Sequence, residues 1–287
     1  MKHNLQKKTT PYMFITPFLI LYMVFMLYPI IFSLLLCFSK YSGAKLSFVG
    51  LKNFKYILAD KLFYRAIGNT FLMMIVQVPV QTFLALAIAC LLNRRDIRGL
   101  GVFRMIIFMP ILLDAVSYSI IFRMFFNFEN GLINNVLEAL GLLRLDWMNN
   151  PWLARTVLVL AITWRWTGYN TVIMLGGLQS IPYELYEAAS INGANGWRKF
   201  WSITVPSMKP VIVFAVILSI TGMLQLFTES YLLTGGGPVN ATMTIVQYLY
   251  QMGFKSFNFG VASAGSLVLV LIIGVMTFLQ LRITKED

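Results

Sequence analysis

The sequence predicts an all-α polytopic membrane protein of about six transmembrane helices, with one polar loop set between two of them. Three observations carry this. Of the 287 residues, 58% are hydrophobic and only 12% charged, a balance outside that of a soluble domain. The apolar residues gather into runs of ~20 or more, the length needed to cross a hydrocarbon core of ~30 Å. The stretch YELYEAASINGANGWRKFWSITVPS, residues 183–207, is polar and partly amphipathic, yet lies between two such runs.

In chain order the runs cover residues 12–38, 68–92, 102–126, 153–178, 210–233 and 259–281. Each is nearly free of charge. No small-residue cleavage site follows the first, so it is expected to stay as a span and not to be removed as a signal peptide. The connecting loops are too short for a soluble domain, and residues 1–287 are read as a single transmembrane domain.

The formal net charge is +12. The basic residues are scattered over loop ends and form no single stripe with interleaved aromatics, so contact with lipid head groups is expected and nucleic acid is not. On one side of a six-span arrangement fall Lys2, Lys7 and Lys8, then Arg94, Arg95 and Arg98, then Arg198, Lys199 and Lys209, then Arg282 and Lys285. Lys40, Lys45, Lys52, Lys55, Lys61 and Arg65 fall on the other. Cytoplasmic loops carry the excess of Lys and Arg, which favours both termini, and residues 183–207, inside.

Several chemistries find no residues to carry them. Cys37 and Cys90 both lie within spans, which offers neither a disulfide framework nor a zinc cluster. The one histidine is His3. No G-x-x-x-x-G-K-[ST] phosphate loop is present, and GANGWRK lacks its spacing and hydroxyl residue. H-E-x-x-H and G-x-S-x-G are absent as well. The chain is therefore expected to bind no metal or cofactor and not to be an enzyme.

Within residues 183–207, good helix formers run from Glu184 to Asn192, with Pro182 placed to begin a helix and Gly193 to end it. Ala188 and Ala189 hold no neighbouring surface away, and Glu187 offers a carboxylate beside them. Trp197, Phe200 and Trp201 follow at i, i+3 and i+4, on one helical face. Arg198 and Lys199 fall on the other, which suits a second helix lying in the membrane interface. Pro206 and Pro210 are expected to stop it and start the next span. Two readings stand at this point: a knob for a partner, and a loop that lies on head groups.

Charges inside spans are costly and face the bundle interior. Asp114, Arg165 and Glu229 are such charges, the first two expected near the midplane and Glu229 in the outer half. Thr163, Trp164, Trp166, Tyr169 and Asn170 surround Arg165 in sequence; Gln225 and Thr228 precede Glu229. Aromatic faces stack on sugar rings, and amides and carboxylates take hydroxyls, so the mixture suits a carbohydrate better than an ion. A buried charge pair with no transport role, and Trp164 as a lipid anchor, are the alternatives. Farther along, Gly235, Gly236, Gly237 and Pro238 make a tight turn that lets backbone approach a docked partner, or a plain loop.

The residues also carry a resemblance. EAASINGANGWRKFWSITVP resembles the EAA loop of binding-protein-dependent ABC importer permeases: Glu187, Ala188 and Ala189, then Gly193, then Ile203, Val205 and Pro206 at the family spacing. Val205 stands where leucine is usual, and Asn192 where the sugar-transporting branch has aspartate. TPFLILYMVFMLYPIIFS (16–33), FVGLKNF (48–54) and YLLTGGGPVNAT (231–242) are similar to segments of the maltose- and glycerol-phosphate-type branch, in particular to the first of its two permease subunits.

The resemblance implies a permease subunit of the bacterial cytoplasmic membrane, importing an oligosaccharide or related glycoside. It implies a second homologous permease subunit, two ATPase subunits that hold the ATP and Mg, and an extracellular solute-binding protein as partners. It also assigns roles. Glu187, Ala188, Ala189, Gly193, Ile203 and Pro206 would couple to the ATPase; Asp114, Trp166, Tyr169, Asn170, Gln225 and Glu229 would line the substrate pathway; Gly235–Pro238 would meet the binding protein. A standalone ion- or proton-coupled carrier using Asp114, Arg165 and Glu229, and a membrane scaffold without a solute path, are the rivals. Neither explains the 183–207 loop together with the polar residues of spans four and five.

Overall fold

A computed structural model of the chain describes residues 2–42, 45–94 and 99–285. Arg95 and Arg98 of the expected basic loop lie outside them. The chain divides into two units, Met1–Asp60 with Leu249–Val270, and Lys61–Tyr248 with Leu271–Asp287.

The first unit opens with α1 (Lys2–Tyr22), a π-helical turn at Met23–Leu27 and α2 (Tyr28–Cys37). Within it Tyr12–Cys37 is apolar and long enough to span a membrane, matching the first expected run. A short antiparallel hairpin follows, β1 (Ser39–Ser42) and β2 (Lys45–Phe48), with Ser39 opposite Phe48. Next comes α3 (Lys52–Ala59), whose buried Asn53 donates to the carbonyls of Cys37 at 3.0 Å and Ser39 at 2.9 Å. Those carbonyls, at and just beyond the end of α2, have no partner within the helix, so the amide closes its C-terminus.

The second unit is a helical bundle: α4 (Lys61–Leu92), α5 (Leu100–Leu112), α6 (Ala115–Phe125), α7 (Leu132–Ala139), α8 (Pro151–Gln179), α9 (Tyr183–Ile191), α10 (Gly196–Lys199) and α11 (Val205–Leu224). A six-residue α12 (Ile245–Tyr250) and the long α13 (Phe259–Lys285) complete the chain. Helices α4, α8 and α11 pack on one another around Ala85, Leu86, Ala89, Met174, Leu178, Met208 and Ala215. Between helices in lipid the hydrophobic effect drives little, and close van der Waals contact decides; the fully buried alanines let backbones approach. Gly168 shows this most sharply. A Cβ there would sit 1.8 Å from the carbonyl oxygen of Ile107, so α5 and α8 cross with backbone against backbone.

Four described helices are long and apolar enough to cross a membrane, or five if α5 and α6 count as one span. The length of α8 suffices, ~43 Å, but Arg155 and Arg165 and its Thr and Asn residues make it less apolar. Two of the expected runs look different in the structure. Residues 102–126 form two helices bent by 96°, because Leu113 and Asp114 are extended and the Asp114 carboxylate caps the new helix by accepting from Val116 N at 3.0 Å. In the run 210–233, α11 ends at Leu224, and the chain continues through an irregular segment into a π-helical turn at Ser230–Thr234. At its other end, no stop occurs at Pro206 or Pro210. Gly196–Leu224 is one helix of 29 residues. Pro206 lies in the first turn of α11, directly after a π-helical turn at Phe200–Thr204 that shifts the hydrogen-bond register.

Candidate functional site

A cavity of about 370 Å³ opens inside the second unit. Four stretches build most of its wall, and Ala115 of α6 completes it. From α8 come Ile162, Arg165, Trp166, Tyr169 and Asn170; from α11, Leu218, Ser219, Gly222 and Met223. The segment after α11 adds Gln225, Leu226, Phe227, Thr228 and Glu229, and α4 adds Gln77 and Gln81. On α8 the lining positions recur at three- and four-residue spacing, so one face of the helix is turned inward.

Several polar atoms of this wall engage one another. Arg165 Nη1 lies 3.5 Å from Glu229 Oε1, and the guanidinium stacks over the rings of Tyr118 and Trp166, at 5.1 and 5.3 Å from their centroids. Tyr118 donates its hydroxyl proton to the same Glu229 oxygen at 2.5 Å. Asn170 donates to Ser219 Oγ at 3.0 Å, and the rings of Trp166 and Tyr169 meet edge to face at 5.8 Å. Gln77 donates to Gln81 Oε1, one turn on; both are buried, and Gln77 Oε1 has no hydrogen-bond partner.

Five of the six residues expected along the pathway, Trp166, Tyr169, Asn170, Gln225 and Glu229, therefore come together on one cavity. Asp114 does not join them. It is exposed, it caps α6, and only its neighbour Ala115 reaches the wall. Trp164 points elsewhere, with its ring against Phe122 at 5.5 Å and Tyr118 at 6.3 Å. Gln77, Gln81 and Ser219 were not anticipated. The signal for the first two was their i, i+4 spacing in an otherwise apolar run.

In the 183–207 loop, α9 occupies Tyr183–Ile191, within a residue of its expected bounds at either end. Gly193 ends it at φ +74°, a conformation that costs glycine nothing. Glu187, Ala188 and Gly193 are exposed, Ala189 and Ile203 half-buried, and Pro206 exposed. Two bonds tie α9 back to the helix that follows. Tyr186 Oη and Thr204 Oγ1 are 2.9 Å apart, and Lys199 Nζ donates to Ser190 Oγ at 2.6 Å. Asn195 caps the second helix by accepting from Arg198 N at 2.9 Å. Trp197, Phe200 and Trp201 form one ring cluster, with Trp197 and Trp201 exposed.

The Gly235–Pro238 turn is held by hydrogen bonds from the residues on either side of it. Gly236 N donates to Ser230 O at 3.1 Å, Thr242 N to Gly236 O at 3.2 Å, and Thr242 Oγ1 to Gly237 O at 2.7 Å. The residues just beyond it are anchored to α4 and α8: Asn69 donates to Asn240 O at 2.7 Å, and Arg155 Nε to Ala241 O at 2.9 Å. Gly235 is exposed and Gly236 buried.

A cavity that sets amides, aromatic rings and a charge pair among apolar side chains, sheltered in an apolar helical bundle, suits a membrane transport component. The chain belongs to the family described as binding-protein-dependent transport system inner membrane component, whose model matches residues 57–285. It is 40% identical over 280 residues to the lactose transport system permease protein LacF of Rhizobium radiobacter, covering 96% of this chain and 94% of that one. It is 39% identical to the arabinooligosaccharides transport system permease protein AraP of Bacillus subtilis, covering 97% and 89%. The trehalose/maltose transport system permease protein MalF of Thermococcus litoralis is 32% identical over 96% and 93%. Among solved structures, a chain of a bacterial ABC transporter involved in the import of the acidic polysaccharide alginate superposes with a TM-score of 0.88, at 21% identity over 99% of this chain and 98% of that one. That likeness speaks for the fold. The chain is thus a multi-pass membrane protein and a transport component.

Proposed function

We propose that this chain is a permease subunit of an ABC importer that carries a carbohydrate, an oligosaccharide or glycoside, across the bacterial cytoplasmic membrane. The observation that carries the reading is the cavity, whose wall sets the aromatic residues Trp166 and Tyr169 beside the amide residues Asn170, Gln225 and Gln77. Stacking on the apolar face of a sugar ring with amides on its hydroxyls is a recognition chemistry for which ions have no use. The relatives named for lactose, arabinooligosaccharide and trehalose/maltose transport support the same class.

In this reading both termini and the 183–207 loop face the cytoplasm. An ATPase subunit receives α9, with Glu187, Ala188, Ala189 and Gly193 at the contact and Ile203 and Pro206 behind it. A second, homologous permease completes the bundle; two ATPase subunits hold the ATP and Mg, and a solute-binding protein docks on the turn at Gly235–Pro238. Closure of the ATPase pair draws the α9 helices together and opens the cavity outward, and hydrolysis returns it inward. This is rocking of rigid bundles about a central site.

The test is co-purification of the tagged chain from detergent, as wild type and with Glu187→Lys or Gly193→Asp. The wild type is expected to bring down an ATPase and a second permease, and each substitution to lose at least ten-fold of the ATPase while keeping the permease. A wild type that purifies without any ATPase overturns the importer reading, and uptake in vesicles lacking ATP then tests the carrier.

A further inference from the structure

We infer that this cavity selects uncharged saccharides and rejects uronates, because the two charges in its wall are spent on each other. The inference rests on the reading of the cavity as a sugar site. Among the described residues that line it, Arg165 and Glu229 alone are charged. They pair at 3.5 Å, with side chains only 16% and 7% exposed. Each is further engaged: the guanidinium lies over two aromatic rings, and the carboxylate accepts the Tyr118 hydroxyl. The wall is therefore electrically neutral, with Ile162, Leu218, Met223, Leu226 and Phe227 as its apolar part.

A carboxylate entering this space has no cation of its own. Capturing Arg165 strips Glu229 of its partner and leaves one uncompensated anion in a low-dielectric site, the costliest arrangement there. Arg165 Nε, which is buried and unpartnered, supplies one N–H. That N–H suits a hydroxyl oxygen. A neutral sugar meets a matched set instead. Gln77 Oε1 is an unpartnered acceptor on a residue 2% exposed, and a hydroxyl proton would satisfy it. The amides of Asn170 and Gln225 both donate and accept, as hydroxyls do. The volume lies at the small end of the ~300–1,000 Å³ typical of ligand sites, so a short saccharide or one end of a longer one is held at a time.

The experiment uses the assembled transporter, purified in detergent without the binding protein, so that the binding protein's own selection cannot enter. Calorimetric titration compares lactose, maltose and arabinobiose with digalacturonate and cellobiouronic acid. At least one neutral sugar is expected to bind the wild type ten-fold or more tighter than either uronate. Adding a positive charge is expected to shrink that preference at least ten-fold. Glu229→Gln does so by freeing Arg165. Gln225→Lys does so at an exposed position of the wall and leaves the buried pair intact, which covers the case in which Glu229→Gln fails to fold. Uronates binding the wild type as tightly as neutral sugars overturn the charge selection while leaving the sugar site standing. An unchanged preference in Gln225→Lys also overturns it. Binding of no sugar at all removes the sugar site, and this inference with it.

Discussion

Asp114 and Glu229 are both carboxylates within apolar runs, and the fold puts them to opposite uses. Glu229 is 5% exposed, faces Arg165 and borders the cavity. Asp114 stands at a helix N-terminus, where any short polar side chain with an oxygen meets the free N–H groups. Asp114→Asn should therefore leave sugar uptake within about two-fold of wild type and stability unchanged, since Asn caps as well as Asp. Asp114→Ala should cost ~0.5–2 kcal/mol. Uptake and thermal unfolding in detergent check both, and loss of uptake in Asp114→Asn alone returns the residue to the pathway. Composition cannot tell these carboxylates apart, because a charge in an apolar run reads the same whether it faces a cavity or caps a bend. The amides of Gln77 and Gln81 were hidden for a related reason, being uncharged and set in a run whose average stays apolar.

Elements were legible where periodicity and end signals agree. Pro182 and Gly193 bracket α9 in the sequence, and the helix occupies Tyr183–Ile191. The hairpin Ser39–Phe48 was not legible: two four-residue strands give too short an alternation. Nor was the 96° bend, since Pro110 and Asp114 do not lower the hydropathy of residues 102–126 enough to divide them. Glycines within spans are equally silent in sequence, yet differ in the packed bundle. In α8 a Cβ at Gly168 meets the backbone of α5, while at Gly176 it meets nothing within 4 Å. Gly168→Ala should then destabilise by ~1–3 kcal/mol through overpacking. Gly176→Ala should be neutral or stabilising by up to ~1 kcal/mol. Melting temperatures in detergent compare the two, and equal shifts would refute the close crossing.

At the scale of the molecule, α8 sets the two faces of the second unit apart. Its 29 residues cover ~43 Å, more than the hydrocarbon core and enough for the segment before Pro151 and the loop after Gln179 to reach opposite sides of a membrane. With both native cysteines replaced by alanine, Leu143→Cys should label from outside with a membrane-impermeant maleimide at least ten times faster than Asn195→Cys. Permeabilised cells should equalise them. The reverse order would invert the orientation drawn from the Lys and Arg distribution, a rule that the sequence supports with basic residues on both sides.

The unbroken helix from Gly196 to Leu224 makes a lever of this polar loop. Its near end carries Trp197 and the bonds to α9, and its far end delivers Gln225 to the cavity wall. Over 29 residues a helix of ~43 Å that tilts as a unit by ~5° at one end displaces the other by ~4 Å. That travel is comparable to the thickness of a sugar ring, so in the proposed mechanism a small angular push at the surface would be geared up into the opening or closing of the cavity.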